Sequence, residues 1–162
     1  MRKLKAYLDT SVINFIFADD APEKRDITID FFENYIRTSI YEVCISPLVI
    51  DEIGNTRDET KKQKLLKIIE DYEIEVLDIF RNMDEINNLA YTYIEEGVIP
   101  RNKVEDALHI AICTVFGFDL LLSWNYKHMA NVNKESRITA VNINEGYHLQ
   151  LRIITPMEAI YE

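Results

Sequence analysis

Three short segments, LKAYLD (4–9), YEVCIS (41–46) and FDLLLS (118–123), are almost wholly apolar and are separated by long stretches of helical periodicity. Unbroken apolar runs of this length suit strands covered on both faces, as in a parallel sheet; a strand with one wet face alternates instead. EIEVLD (73–78) and LRIITP (151–156) are weaker strand candidates. Between them, EKRDITIDFFENYIRTS places Ile27, Phe31, Phe32 and Tyr35 on one helical face, and KKQKLLKIIEDY places Leu65, Leu66, Ile68 and Ile69 similarly. MDEINNLAYTYIEEG ends at Gly97, and NKVEDALHIAICTVFG carries Val104, Leu108, Ala111, Ile112 and Val115 at helical spacing before stopping at Gly117. Strands that alternate with helices predict an α/β fold around a mostly parallel sheet.

With 162 residues and only four glycines and four prolines, the chain has no linker or repeat to divide it, so one domain over 1–162 is expected. It has no apolar run of eighteen residues to span a membrane, and its start lacks the apolar core of a signal peptide. Cys44 and Cys113 each sit in an apolar segment. They read as buried free thiols of a reducing cytoplasm, not as zinc ligands. The net charge of −10 is the wrong sign for a protein that grips phosphates over a broad surface. Nucleic acid could be held only through local basic groups or bound cations.

In an open α/β sheet, sites form beyond the carboxyl ends of the strands, and that rule selects among the 28 acids. Asp9 ends the first strand, although DTS before an apolar helix is also an N-cap pattern. Glu52 lies a turn or more into the helix that Ser46-Pro47 opens after the second strand. Asp51 beside it is an alternative, and both also read as solvated acids. Asp106 stands near the head of the NKVEDALHIAICTVFG helix, where a dipole contact would account for it, although Ala107, His109 and Ala111 keep this end narrow and partly polar, as a site wall would need. In LLLSWNYKHMAN an apolar strand gives way to Asn125, Lys127 and His128, the last of which reads more readily as a surface or capping histidine than as a catalytic one. Carboxylates that converge on one sheet edge repel one another and are tolerated when a cation sits among them. Oxygen donors of this kind suit Mg²⁺ or Mn²⁺ better than zinc.

Four pieces, YLDTSVIN, ISPLVIDEI, EDALHIAICTVFGFDLLLSWNYKHMAN and RIITPMEAI, occur in an order and at spacings that resemble the PIN-domain family, and within it the ribonuclease toxins of the VapC type. The resemblance covers essentially the whole chain. It implies a three-layer α/β/α sandwich with an acidic pocket that binds Mg²⁺ or Mn²⁺ and cleaves RNA. Carried over, the family's acids fall on Asp9, Glu52 and Asp106, and its hydroxyl partner on Thr10 or Ser11. The fourth position, often aspartate in the family, is Asn125. His128-Met129 stand where relatives often carry a further acid. Lys127 and His128 are then expected as phosphate contacts, with Arg101 and Lys103 adding charge beside Asp106. The resemblance also implies an RNA substrate, a cognate antitoxin as partner, and a dimer of the chain.

The competing expectation is a PIN-like module of weak or absent activity that works by binding protein or RNA. Two other α/β sites built on a strand-end aspartate fit poorly. A haloacid-dehalogenase-type phosphatase needs a second acid where Ser11 stands, and a response-regulator receiver needs an acidic pair that the first strand lacks.

Overall fold

A computed structural model describes residues 2–125 and 132–160. Among them lie five strands and eight α-helices in a three-layer α/β/α sandwich. In chain order they are β1 (Lys5–Leu8), α1 (Thr10–Asn14), α2 (Pro22–Phe31), β2 (Glu42–Ile45), α3 (Pro47–Gly54), α4 (Glu59–Asp71), β3 (Glu75–Val76), α5 (Met83–Glu95), α6 (Val104–Val115), β4 (Leu120–Leu122), α7 (Val132–Asn144), β5 (Arg152–Ile154) and α8 (Pro156–Ile160). The strands are ordered β3-β2-β1-β4-β5 and every pairing is parallel. No helix of the described residues is long and apolar enough to cross a membrane.

The apolar runs form the middle of the sheet. Ala6, Tyr7 and Leu8 of β1 and Leu120, Leu121 and Leu122 of β4 are all buried, and the register sets Leu8 beside Leu122. The weak candidates form the edges and are short. EIEVLD contributes only the two exposed residues of β3, whose ladder ends where Leu77 N–H bonds Ile45 O. At the other edge, Arg152 N–H faces inward to Asp119 O, while Ile153 N–H faces out and is taken by a carboxylate oxygen of Glu135 on α7 at 2.8 Å.

The helices end where glycine was expected to end them, with Gly97 and Gly117 at φ +73° and +71°. The helix expected over EKRDITIDFFENYIRTS is not uniform. From Phe32 to Ile36 it widens into a π-turn, and Arg37 N–H reaches back to Phe32 O at 2.9 Å. The wider turn lets two consecutive aromatics, Phe31 and Phe32, both bury completely. Phe31 packs against Tyr35 and Tyr41, whose hydroxyls donate to Ile160 O and Ala159 O and so hold α8 in place.

Candidate active site

The strand order reverses at β1, so a crevice opens beyond the carboxyl ends of β1 and β4. Asp9 is the first residue past β1. Its N–H extends the ladder by one bond to Leu122 O, at 3.1 Å, before the chain turns into α1. Oδ1 of Asp9 accepts from Ser11 Oγ at 2.5 Å and from Val12 N at 3.3 Å, so the acid caps α1. It also lines a hollow of about 340 Å³ with Glu52, Asp106 and Asn125, walled by Thr10, Ser11 and Asn14 on one side and His109 on the other. The cap and the hollow are thus two uses of one carboxylate. Asp9 is only 5 % exposed, and burial pushes its pKa up against the lowering pull of His109 and the hydrogen bonds from Ser11, Ser123 and Val12. Among the described residues no salt bridge reaches it.

Ser46 caps α3, accepting from Leu48 N at 3.2 Å, and Pro47 opens the helix. That start turns Glu52 toward the crevice. Asp51 is exposed and faces a separate apolar groove beside Leu48 and Phe80. Thr10 does not serve Asp9; its hydroxyl donates to Glu52 Oε1 at 2.9 Å. His109 Nε2 reaches the same oxygen at 2.6 Å, so Oε1 carries both contacts and Oε2 has no hydrogen-bond donor among the described residues. Burial raises the Glu52 pKa, but the His109 hydrogen bond and attraction, with the Thr10 hydroxyl, outweigh it and hold the carboxyl below its usual range.

Behind Glu52 runs a chain that sequence reasoning missed. His109 is 2 % exposed, Nδ1 lies 2.7 Å from the Tyr7 hydroxyl, and that hydroxyl lies 2.8 Å from Ser46 Oγ. Burial pushes the Tyr7 phenol far above its ordinary pKa. One signal was available: His109 follows Asp106 by three residues, on the same helical face.

Asp106 sits in the first turn of α6, and Asn125, three residues past β4, points its amide at Asp106 Oδ2 across 3.4 Å. A second hollow of about 390 Å³ shares Glu52, Asp106 and Asn125 and continues past Asn55, Asn102 and Lys103. Lys103 therefore adjoins the acids, whereas Arg101 turns away to Glu95 at 3.0 Å. Half-buried Lys134 of α7 lies within electrostatic reach of Asp106; burial lowers its pKa and Asp106 opposes that shift. Lys127 and His128 lie outside the described residues.

Three carboxylates and an amide give hard oxygen donors, which suit Mg²⁺ or Mn²⁺. Among the described residues, however, no three His, Cys, Asp or Glu side chains gather tightly enough to cage a metal. Zinc would need such a cage. Mg²⁺ does not, since it keeps several waters and typically takes one or two carboxylates plus substrate oxygens. The donor set fits an open, water-rich Mg²⁺ or Mn²⁺ position.

Comparison with known proteins agrees with the fold. The family model described as the PIN domain matches residues 6–135. In fold the chain is similar to a chain of the crystal structure of VapBC2 from Rickettsia felis bound to a DNA fragment from its promoter, with a TM-score of 0.58 at 15 % identity, over 94 % of this chain and 98 % of that one. No curated protein matches it by sequence. A parallel sheet of order β3-β2-β1-β4-β5, an acidic crevice at its reversal point and a family match across residues 6–135 lead to one assignment: this chain belongs to the PIN-domain family.

Proposed function

We propose that the chain is a divalent-metal-dependent endoribonuclease that hydrolyses RNA phosphodiester bonds, and that it acts as the toxin of a toxin–antitoxin pair. The observation that carries this reading is the shared hollow: Asp9, Glu52 and Asp106, up to 97 positions apart in sequence, line it together with Asn125. Asp9, Glu52 and Asp106 would hold Mg²⁺ or Mn²⁺, which when bound makes water a nucleophile near neutral pH and offsets charge on the phosphate. Ser11 orients Asp9, while Thr10 and His109 fix one oxygen of Glu52 and leave the other for a cation. The Asn125 amide has two N–H hydrogens to donate, so it can hold Asp106 and a phosphate oxygen together. Single-stranded or looped RNA is the substrate class, because its backbone bends into a small hollow. A cytoplasmic setting, an antitoxin that covers the hollow and a dimer of the chain belong to the same proposal; the VapBC2 complex supports the antitoxin.

Purified protein with Mn²⁺ is expected to cut a mixed RNA pool. EDTA should stop it, and Asp106→Ala should slow it by more than about a hundredfold, the loss expected when several kcal/mol of charge stabilisation go. Intact RNA under these conditions overturns the reading. The alternative, a module that binds without cutting, is favoured by Asn125 in an acid's place and by the loose spacing of the acids. RNA binding without cleavage would establish it.

A further inference from the structure

Glu52 is held in an unusual way, with both protein donors on one oxygen. The shorter contact is with His109, and for a neutral ring the contacts allow one order of donors. Glu52 Oε1 can only accept as a carboxylate, so the 2.6 Å contact requires His109 Nε2 to carry a hydrogen. In the neutral ring Nδ1 is then bare and must accept from the Tyr7 hydroxyl at 2.7 Å. Having given its proton to His109, Tyr7 must accept from Ser46 Oγ at 2.8 Å. Ser46 Oγ already accepts from Leu48 N–H, so its own hydrogen is the one left to give. With His109 neutral, each group thus has one role in a line running Ser46 to Tyr7 to His109 to Glu52. The line begins and ends on α3 and passes through β1 and α6 on the way.

We propose that His109 is a positioning residue for Glu52: backed by Tyr7 and Ser46, it pins Oε1 so that Oε2 is the oxygen offered to a cation in the hollow. The inference rests on the metal-dependent reading above and assigns it a residue outside the carboxylate set. A merely structural histidine would need its two hydrogen bonds for folding alone. A positioning histidine also sets how tightly the neighbouring carboxylate takes an ion, and partners of this kind typically govern metal affinity by about 10–100-fold.

The test is Mn²⁺ binding to the full chain, followed by the loss of the free-ion electron paramagnetic resonance signal, with melting temperatures measured alongside. His109→Leu should weaken Mn²⁺ binding by about 10–100-fold. His109→Gln, which restores an N–H near Glu52, should recover most of that loss. Tyr7→Phe should weaken binding to a lesser degree, because the ring keeps its contact with Glu52 but loses its support. Should His109→Leu fail to fold, the wild-type protein still decides: ¹⁵N-histidine spectra should show one ring, absent from His109→Gln, with its proton on Nε2 and Nδ1 bare. A proton on Nδ1 overturns the relay. So does a folded His109→Leu that binds Mn²⁺ like wild type, or a His109→Gln no better than His109→Leu. Wild-type protein that takes up no Mn²⁺ overturns the functional reading, and the relay's purpose with it.

Discussion

Asp9 shows how a side chain that lines the hollow can be costly to the fold. Burial raises its pKa, so above that value the folded state carries a charge that the unfolded chain holds more cheaply in water. Removing the charge should therefore stabilise the metal-free protein at neutral pH. Asp9→Asn is expected to melt higher than wild type in EDTA, and Mn²⁺ is expected to raise the melting temperature of wild type but not of the variant. Equal responses of the two proteins to Mn²⁺ would remove Asp9 from the metal position. Asp9 and Asp106 were legible as candidates because they stand at a strand exit and a helix head, whereas Glu52, in the last turn of α3, was set apart by the resemblance. The hydrogen bonds that join Tyr7, Ser46 and His109 were not legible. Tyr7 reads as one more apolar strand residue and His109 as part of a partly polar wall beside Asp106, and periodicity is blind to hydrogen bonds between residues 102 positions apart. The resemblance put the hydroxyl partner of Asp9 on Thr10 or Ser11; Ser11 makes that contact, and the first turn of α1 swings the Thr10 hydroxyl to Glu52.

Among the elements, α3 depends most on one residue. Ser46 is at once its N-cap and the donor behind Tyr7, so Ser46→Ala removes a cap and leaves a buried hydroxyl short of a partner. Urea unfolding should show a loss of about 1–2 kcal/mol. A loss near zero would mean that water or a neighbouring group takes over both roles. Helix ends were readable from Gly97, Gly117 and the Ser46-Pro47 pair because each encodes a local backbone requirement. The π-turn after α2 was not readable, since it arises from the need to bury Phe31 and Phe32 together, which depends on what they pack against. β3 fell short of EIEVLD for a related reason. The pattern has strand character, but only two residues find a partner on β2, and Glu73 at φ +52° has already turned out of line.

For the molecule as a whole, the α/β class was legible and the strand order was not, because Leu8 pairs with Leu122 across more than a hundred residues and no local signal records that choice. The same long reach appears at the far end of the sheet from the acids, where exposed Arg2 makes a two-pronged contact with Asp119 at 2.8 and 3.0 Å. The Arg2 hydrogen bond, set against burial and helped by the Lys5 N–H, holds the Asp119 carboxyl below its usual range. A depressed pKa contributes stability that is complete above the ordinary aspartate value, about 3.9, and fades as the pH falls through the folded-state value. Asp119→Asn should therefore be less stable than wild type at neutral pH, with the two urea midpoints converging in acid. A gap that persists at low pH would show that the contact works through packing instead of charge. Another carboxylate closes the opposite flank. Glu135 occupies the outward amide of Ile153, the group that an arriving strand from a second molecule would seek. A chain left with that amide vacant could template fibre growth one copy at a time. With it plugged, the β5 edge of the five-stranded sheet offers an arriving strand no donor at Ile153.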